Sequence, residues 1–368
     1  MKIGIIGCSG DVGRGIAKYL LEKKYTVFGV QRHKTEDLLE YDNLTYFIFD
    51  INDMEKLKIF VKKCDVIINC IAPAYIYSNK IARIVGETGR IYLDLTDCIA
   101  SEKLPSGGTY ITSCGYIPGI SAALPKLIID KYFDKVDSGI FIQGGSELCS
   151  DRALKDVILS SEKSGYIDAY YQDGKINRLI LDSRKKIALP VMGDEVLLKP
   201  FLSHEMIDFA KRNDICSLKW FNAYEDISQF TFFLRLVTAL SLGDSKKIDS
   251  LIMSERKKRR ESGKEPYSVM MGDIWGSKND IKKVVRFIMS FRDMNKLCFI
   301  AAACIADEIL KSKIEPGVYF GYQFLKGEVI GEIEEYIRES GFLNISEIPI
   351  ESSFDYLFYH SCEMNLSK

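Results

Sequence analysis

The sequence predicts an α/β chain: a parallel-sheet domain comes first, followed by a second, α+β domain with a mostly antiparallel sheet. Three observations carry this. Apolar runs and amphipathic stretches alternate through about residue 115, glycines at 7, 10 and 13 punctuate the first junction between them, and after Pro118 and Gly119 several runs alternate polar with apolar residues. Strand and helix in alternation demand a parallel sheet covered on both faces. Alternation inside a strand instead suits an antiparallel sheet.

The elements follow in order. Residues 2–7 form the continuous apolar run of a buried parallel strand, and 12–21 have helical periodicity, with Ile16, Ala17, Leu20 and Leu21 facing inward. Residues 25–30, 44–49 and 66–71 read as strands two to four. A helix at 54–63 has Asn52 and Glu55 at capping-box spacing before it. A helix around 78–86 and strands at 90–95 and 109–113 complete the alternation. A helix near 121–131 then precedes strand-like runs at 138–143, 175–190, 217–224 and 267–275. Residues 299–309 form a small-residue apolar helix, 318–325 follow the turn at Glu315-Pro316-Gly317, and 329–339 form an amphipathic helix. The 368-residue length exceeds the ~100–200 residues of a usual domain. The expected division is a dinucleotide-binding domain of 1–120 plus 300–368, the tail packing back, and a substrate and dimerisation domain of 121–299.

Composition narrows the function classes. A 47% hydrophobic fraction excludes disorder, and 50 basic against 51 acidic residues leave no global field for nucleic acid or a membrane surface. A small-molecule partner is therefore expected. The basic run at 256–260 sits among Glu255, Glu261 and Glu265 and reads as a solvated loop or helix face. The chain enters its first strand directly, with no signal region and no apolar run of ~18 residues, so a cytoplasmic location is expected. Ten cysteines without CxxC spacing predict neither a disulfide framework nor a zinc site, and His33, His204 and His360 are too scattered for a metal cluster.

Gly7-Cys8-Ser9-Gly10-Asp11-Val12-Gly13 lies between strand and helix, where the dinucleotide fingerprint of a Rossmann-type domain falls, although its GxxGxxG spacing is one residue off the strict form. Gly7 permits the tight turn, Gly10 lets backbone approach a pyrophosphate, and Gly13 lets the helix pack closely. The second strand ends in Gln31-Arg32-His33-Lys34, without the acidic residue that accepts the 2′-hydroxyl of NAD. Arg32 can fork onto a 2′-phosphate and His33 or Lys34 can add charge, so NADPH is the expected cofactor. Asp50 ends the third strand near the expected adenine, while Asn52 and Asp53 suit capping. Asn69, Ala72 and Pro73, with their small neighbours, form a plausible cofactor wall.

The run 65–94, with Val66-Ile67-Ile68-Asn69-Cys70-Ile71-Ala72-Pro73 leading to Gly89-Arg90-Ile91-Tyr92-Leu93-Asp94, resembles the cofactor domain of the saccharopine dehydrogenase/reductase family. Cys114-Gly115-Tyr116-Ile117-Pro118-Gly119-Ile120 is similar to the family's Gly-x-x-Pro-Gly segment, and Gly144-Gly145, Asp173-Gly174-Lys175 and Ile314-Glu315-Pro316-Gly317-Val318 to other recurring features. The resemblance is strong through about residue 120. It implies hydride transfer between a nicotinamide cofactor and a C–N bond of an amino-acid-derived molecule, in the cleft between the domains. It leaves the substrate open.

An imine reductase needs a proton donor or an iminium-stabilising carboxylate. Tyr75, Asp94, Asp97, Cys114 and Tyr116 flank the carboxyl ends of the strands, where open α/β sheets bind ligands. Each also has a plainer reading: Tyr75 and Tyr116 as half-buried aromatics, Asp94 as a partner of Thr96, Cys114 as a core residue. Tyr116 and Asp94 lead because their local motifs match the family. His204, in Ser203-His204-Glu205, reads either as an acid reaching from the second domain or as an ordinary helix start. Arg152, Lys175 and Arg178 are candidates for a substrate carboxylate or plain surface charges. A homodimer is expected. The rivals are a saccharopine- or carboxynorspermidine-type dehydrogenase of primary metabolism and a non-catalytic NADP-binding redox sensor.

Overall fold

A computed structural model describes residues 1–33, 41–181 and 186–355. It resolves into two compact units, Met1–Leu124 with Met294–Ile333 and Pro125–Asp293 with Glu334–Lys368.

The first unit begins β1 (Lys2–Ile6), α1 (Asp11–Glu22), β2 (Thr26–Gln31), β3 (Leu44–Ile48), α2 (Met54–Lys62), β4 (Val66–Asn69), α3 (Ala74–Glu87), β5 (Ile91–Asp94) and β6 (Thr109–Thr112). These strands form a sheet in the order β3-β2-β1-β4-β5-β6, every pair parallel. Ile3, Ile5, Ile6, Val66, Ile67 and Ile68 are all buried, as strands covered on both faces must be. The strand order reverses at β1, and the crevice beyond the carboxyl ends of β1 and β4 is where such sheets hold ligands.

The chain continues through α4 (Ile120–Tyr132) into β7 (Lys135–Gly145), α5 (Asp151–Ser164), β8 (Gly165–Ile167), β9 (Ala169–Gln172), β10 (Lys175–Arg178), β11 (Ile187–Leu189), β12 (Gly193–Ser203), α6 (His204–Arg212), β13 (Ser217–Tyr224), α7 (Ile227–Ser241), α8 (Ser245–Glu261), β14 (Ser268–Lys278) and β15 (Ile281–Phe291). In this second sheet β13 runs parallel to β7 and the other pairings are antiparallel. Ile140, Ile142, Phe221, Val269 and Met271 are part of its core on one face. Among the described residues, the run expected at 175–190 holds two short strands, β10 and β11. The basic run belongs to α8, where Arg259 pairs with Glu255 at 2.8 Å and Arg256 with Asp151 at 2.7 Å.

The tail divides, which corrects the expectation that 300–368 returns as one piece. α9 (Met294–Lys311) packs on α1, the ring of Phe299 lying where a side chain on Gly15 would be, and β16 (Gly317–Phe320) extends the first sheet beside β6. After α10 (Gly327–Ser340), however, β17 (Phe342–Ile348) pairs antiparallel with β15 in the second sheet. The segment beyond it is fastened there by a buried ion pair. Arg286 holds Asp273 through two 2.7 Å bonds, the Phe354 N–H donates to the same carboxylate at 2.6 Å, and the Phe354 side chain is fully buried. Among the described residues, no helix is long and apolar enough to cross a membrane.

Candidate functional site

The turn from β1 to α1 is built on backbone. Val30 O accepts from Gly7 N and Cys8 N at 3.1 and 3.3 Å, which fastens the loop to the end of β2, and Gly7 takes φ of +86°. A Cβ on Gly13 would lie 2.3 Å from Gly7 O, so only glycine fits there. Gly10 differs. Its Cβ would meet no atom of the described residues closer than 3.5 Å, so the chain's own packing does not require a glycine. Arg14 N is the first to bond back along α1, to Gly10 O at 2.8 Å, and Gly10 supplies no side-chain cap. The N–H groups of Asp11, Val12 and Gly13 thus stand at an open helix end, with Ser9 and Gly10 exposed beside them. A helix end of this kind favours negative charge.

At the end of β2, Arg32 and His33 are exposed, whereas Gln31 is only 4% exposed and neither atom of its amide has a hydrogen-bond partner among the described residues. Lys34 lies outside the described residues, as does His360. Asp50 is exposed and accepts from the backbone and side chain of Asn52 at 2.8 and 2.9 Å. These bonds hold its carboxyl below the usual range, with the charges of Arg32 and His33 adding to the effect. The cap of α2 is Asp53, which accepts from Lys56 N at 3.2 Å; Asn52 instead closes the turn on Asp50.

Asn69 and Asp94, adjacent across β4 and β5, form a buried polar network. Asn69 Nδ2 donates to Tyr92 OH at 2.9 Å, to Asp94 Oδ2 at 3.2 Å and to Ser78 Oγ at 3.3 Å. Its Oδ1 accepts from Ile71 N at 3.3 Å, fixing the chain that leads to Ala72 and Pro73. Asp94 Oδ2 also accepts from Tyr92 OH at 2.6 Å, and its Oδ1 takes Thr96 N at 2.9 Å and Thr96 Oγ1 at 2.7 Å. Both oxygens of Asp94 are therefore engaged. Burial and the adjacent Asp94 push the Tyr92 phenol well above its ordinary pKa.

The segment after β6 is tied to the same edge. Cys114 N donates to Asp94 O and Ser113 N to Thr96 O, both at 3.0 Å, and Ser113 Oγ donates to Asp97. Gly115 N and Pro118 O close a small loop around Tyr116 and Ile117, and Gly119, at φ +131°, leaves no room for a side chain against Gly115 O. Tyr116 is buried within this knot at the carboxyl edge of the sheet. Tyr75 falls in the first turn of α3, which starts four residues before the expected helix. The first unit thus brings the glycine loop, Gln31 to His33, Asn69 to Tyr75, Asp94 and Tyr116 to one edge of one sheet. Ser78 and Tyr92 escaped the sequence reading, because they meet Asn69 only through the register of β4 against β5 and the packing of α3 over them.

His204 belongs to the second unit and opens α6, where Ser203 Oγ accepts from Met206 N at 3.1 Å, the bonding of an ordinary helix start. Its ring meets Tyr166 edge-on, and burial lowers its pKa. Arg152, Lys175 and Arg178 are exposed on α5 and β10. Among the described residues no group of three or more His, Cys, Asp and Glu is arranged to hold a metal ion.

Residues 3–110 match the family model described as the saccharopine dehydrogenase NADP binding domain. No curated protein matches the chain. Among solved structures, the chain is similar to apo histidine-tagged saccharopine dehydrogenase (L-Glu forming) from Saccharomyces cerevisiae, with 14% identity, a TM-score of 0.60, and 95% of this chain and 100% of that one covered. It also aligns with the C. glutamicum DAP dehydrogenase in complex with DAP, at 11% identity and a TM-score of 0.43 over 90% of this chain and 98% of that one. At such identities the likeness to the yeast structure is one of fold.

Proposed function

From the premise that the chain carries a saccharopine dehydrogenase-type NADP-binding domain, we propose that it is an NADPH-dependent oxidoreductase that reduces an imine or related C–N bond of an amino-acid-derived small molecule. The observation that carries this reading is the open N-terminus of α1, where Gly10 leaves a cradle that the protein's own packing does not explain.

The residues present fit a dinucleotide. The N–H groups of Asp11 to Gly13 would hold the pyrophosphate, and Arg32 with His33 the 2′-phosphate. Asn69 holds the segment through Ala72 and Pro73 in place as a wall for the nicotinamide end. A bound NADPH supplies the hydride that adds to the imine carbon. The imine nitrogen then needs a proton, and Tyr116, at the edge of the sheet beside the Asp94–Thr96 turn, is our candidate donor. Tyr75, on the first turn of α3, is the alternative. Asp94 acts as a positioning residue, because both its oxygens are spent on Asn69, Tyr92 and Thr96. His204 is left to begin α6.

The test is NADPH oxidation followed against a panel of 2-oxo acids and aldehydes paired with amino acids and polyamines, with NADH run alongside. Turnover of at least one pair, faster with NADPH, is expected. Arg32→Ala should weaken NADPH more than NADH, by roughly tenfold for one charge-assisted contact. Tight NADPH binding with no turnover across the panel would refute the reductase and leave the redox sensor; equal affinity for the two dinucleotides would refute the NADP preference.

A further inference from the structure

α7 is apolar on the side that it buries and again on the side that it exposes. Phe232, Leu236 and Ala239 face inward, into a core shared with α5 and α8. Opposite them Ile227, Leu234, Val237 and Leu242, the last just past the helix end, are 56%, 50%, 43% and 75% exposed, with half-buried Phe230 among them. By helical period these residues share one half of α7 with Thr231, Thr238 and Ser241. The three hydroxyls add little polarity, because each donates back along the helix: Thr231 Oγ1 to Ile227 O at 2.6 Å, Thr238 Oγ1 to Leu234 O at 2.9 Å, and Ser241 Oγ to Val237 O at 3.0 Å. Cations border this stripe on both sides. Lys199 of β12 lies over the Phe230 ring at 5.0 Å. Along the other side stand Arg235, the one charge within α7, and α8, whose Lys258 donates to Ser228 beside Ile227. Lys247, about three turns before Lys258, shares its face of α8 and lies toward the other end of the stripe. Among the described residues none of these four cations forms an ion pair. The acids of the hairpin are engaged: Asp226 and Asp244 cap α7 and α8, Asp249 holds Lys155, Glu255 holds Arg259 and Glu261 holds Lys257.

We propose that this face lies on an anionic lipid bilayer, with α7 in the plane of the surface, its aliphatic stripe below the headgroups and the four cations among them. The inference goes beyond the reductase reading and does not depend on it. An apolar helix face between basic borders is what such a surface binds. A second copy of the chain fits worse. Both borders are basic, so however a two-fold axis is laid, cations meet cations with no free carboxylate between them. The balanced charge of the whole chain is no obstacle, because the attraction falls off within a Debye length of about 10 Å and reads only the charges near the surface. Among the described residues no helix is long and apolar enough to cross a membrane, so the attachment is to one leaflet.

Cosedimentation of the full chain with vesicles of phosphatidylcholine alone, or of phosphatidylcholine with about 30% phosphatidylserine, tests it. Wild type should bind the anionic vesicles roughly tenfold or more tighter than the neutral ones, and lose most of that binding between roughly 0.1 and 0.5 M salt. Leu234→Glu and Val237→Glu each place a charge at an exposed position of the stripe. Each should weaken binding by roughly tenfold or more while melting within about two degrees of wild type, and two separate sites keep the test sound should one variant fold poorly. The double variant Lys247→Glu, Lys258→Glu should lose the preference for phosphatidylserine. Failure of wild type to bind anionic vesicles overturns the proposal and leaves the face to an acidic protein partner. Binding by both stripe variants as tight as that of wild type overturns it as well. So does a wild-type dimer in analytical ultracentrifugation that either stripe variant splits into monomers, since the face then belongs to a second copy.

Discussion

Replacing Asp94 with asparagine keeps the shape of the side chain and changes one acceptor into a donor. Asp94 accepts four hydrogen bonds, from Asn69, Tyr92 and twice from Thr96, and is 1% exposed. The one oxygen left on the substituted side chain would stay with the Thr96 backbone N–H, which cannot turn away. Its NH2 would then face Tyr92 OH and Asn69 Nδ2. The phenol has an escape, because it can rotate to accept and already lies 3.3 Å from Ser78 O. Asn69 Nδ2 has less freedom, since its Oδ1 is committed to Ile71 N. One donor-against-donor contact is left, worth about 1–3 kcal/mol in a buried site. For a unit of this size that corresponds to a fall in melting temperature of roughly 2–4 °C per kcal/mol. Thermal unfolding by circular dichroism, paired with turnover and NADPH titration, separates the roles. The Asp94→Asn protein should melt lower, with turnover and dinucleotide affinity reduced together as the Asn69 to Pro73 segment loosens. Loss of turnover by a hundredfold or more at an unchanged melting temperature and unchanged NADPH affinity would refute this and make Asp94 a chemical participant.

The two glycines of the loop should part company. Gly13→Ala pushes a methyl into Gly7 O and is expected to lower the melting temperature as well as NADPH affinity, whereas Gly10→Ala meets only ordinary contacts and should melt as wild type while losing NADPH affinity by tenfold or more; unimpaired binding by Gly10→Ala would remove the argument for an anion there. Burial lowers the pKa of His204, so between that lowered value and about 6.5 the unfolded chain binds more protons than the folded one. Stability from this residue is complete above about pH 6.5 and declines as the pH falls below it, and His204→Gln should flatten the decline in a melting series from about pH 7.5 to 5.5; an identical slope in the variant would place the acid sensitivity elsewhere.

The first unit was legible because its signals are local. Buried parallel strands are uninterrupted apolar runs, and the glycines that turn β1 into α1 cannot be exchanged without a clash at Gly13. The second unit was less so. β12 contains Asp194, Glu195, Lys199 and Pro200, which break the pattern of a strand, and α7 is too apolar to show an amphipathic period. α3 starts early because Pro73, poor inside a helix, serves at its N-cap. In the site, the bond between Asp94 and Thr96 follows from their spacing of two. So does the bond of Asp94 to Tyr92, whereas the bonds of Asn69 to Asp94, Tyr92 and Ser78 arise from the register of β4 against β5 and from α3 packing over them. Charge alone marked Arg32, but nothing in the order of residues distinguished Gln31 as buried.

The interleaving of the two units has a consequence for the order in which the protein can be assembled. β16 covers the free edge of β6 and β17 covers the free edge of β15, yet each follows in the chain every other strand of the sheet it extends. Until residue 317 emerges the parallel sheet presents an open edge at β6, and until residue 342 emerges the antiparallel sheet presents one at β15. Unpaired edges are templates for pairing with other chains. A nascent molecule stalled between these points would carry both sheets nearly whole and at least one of them unsealed.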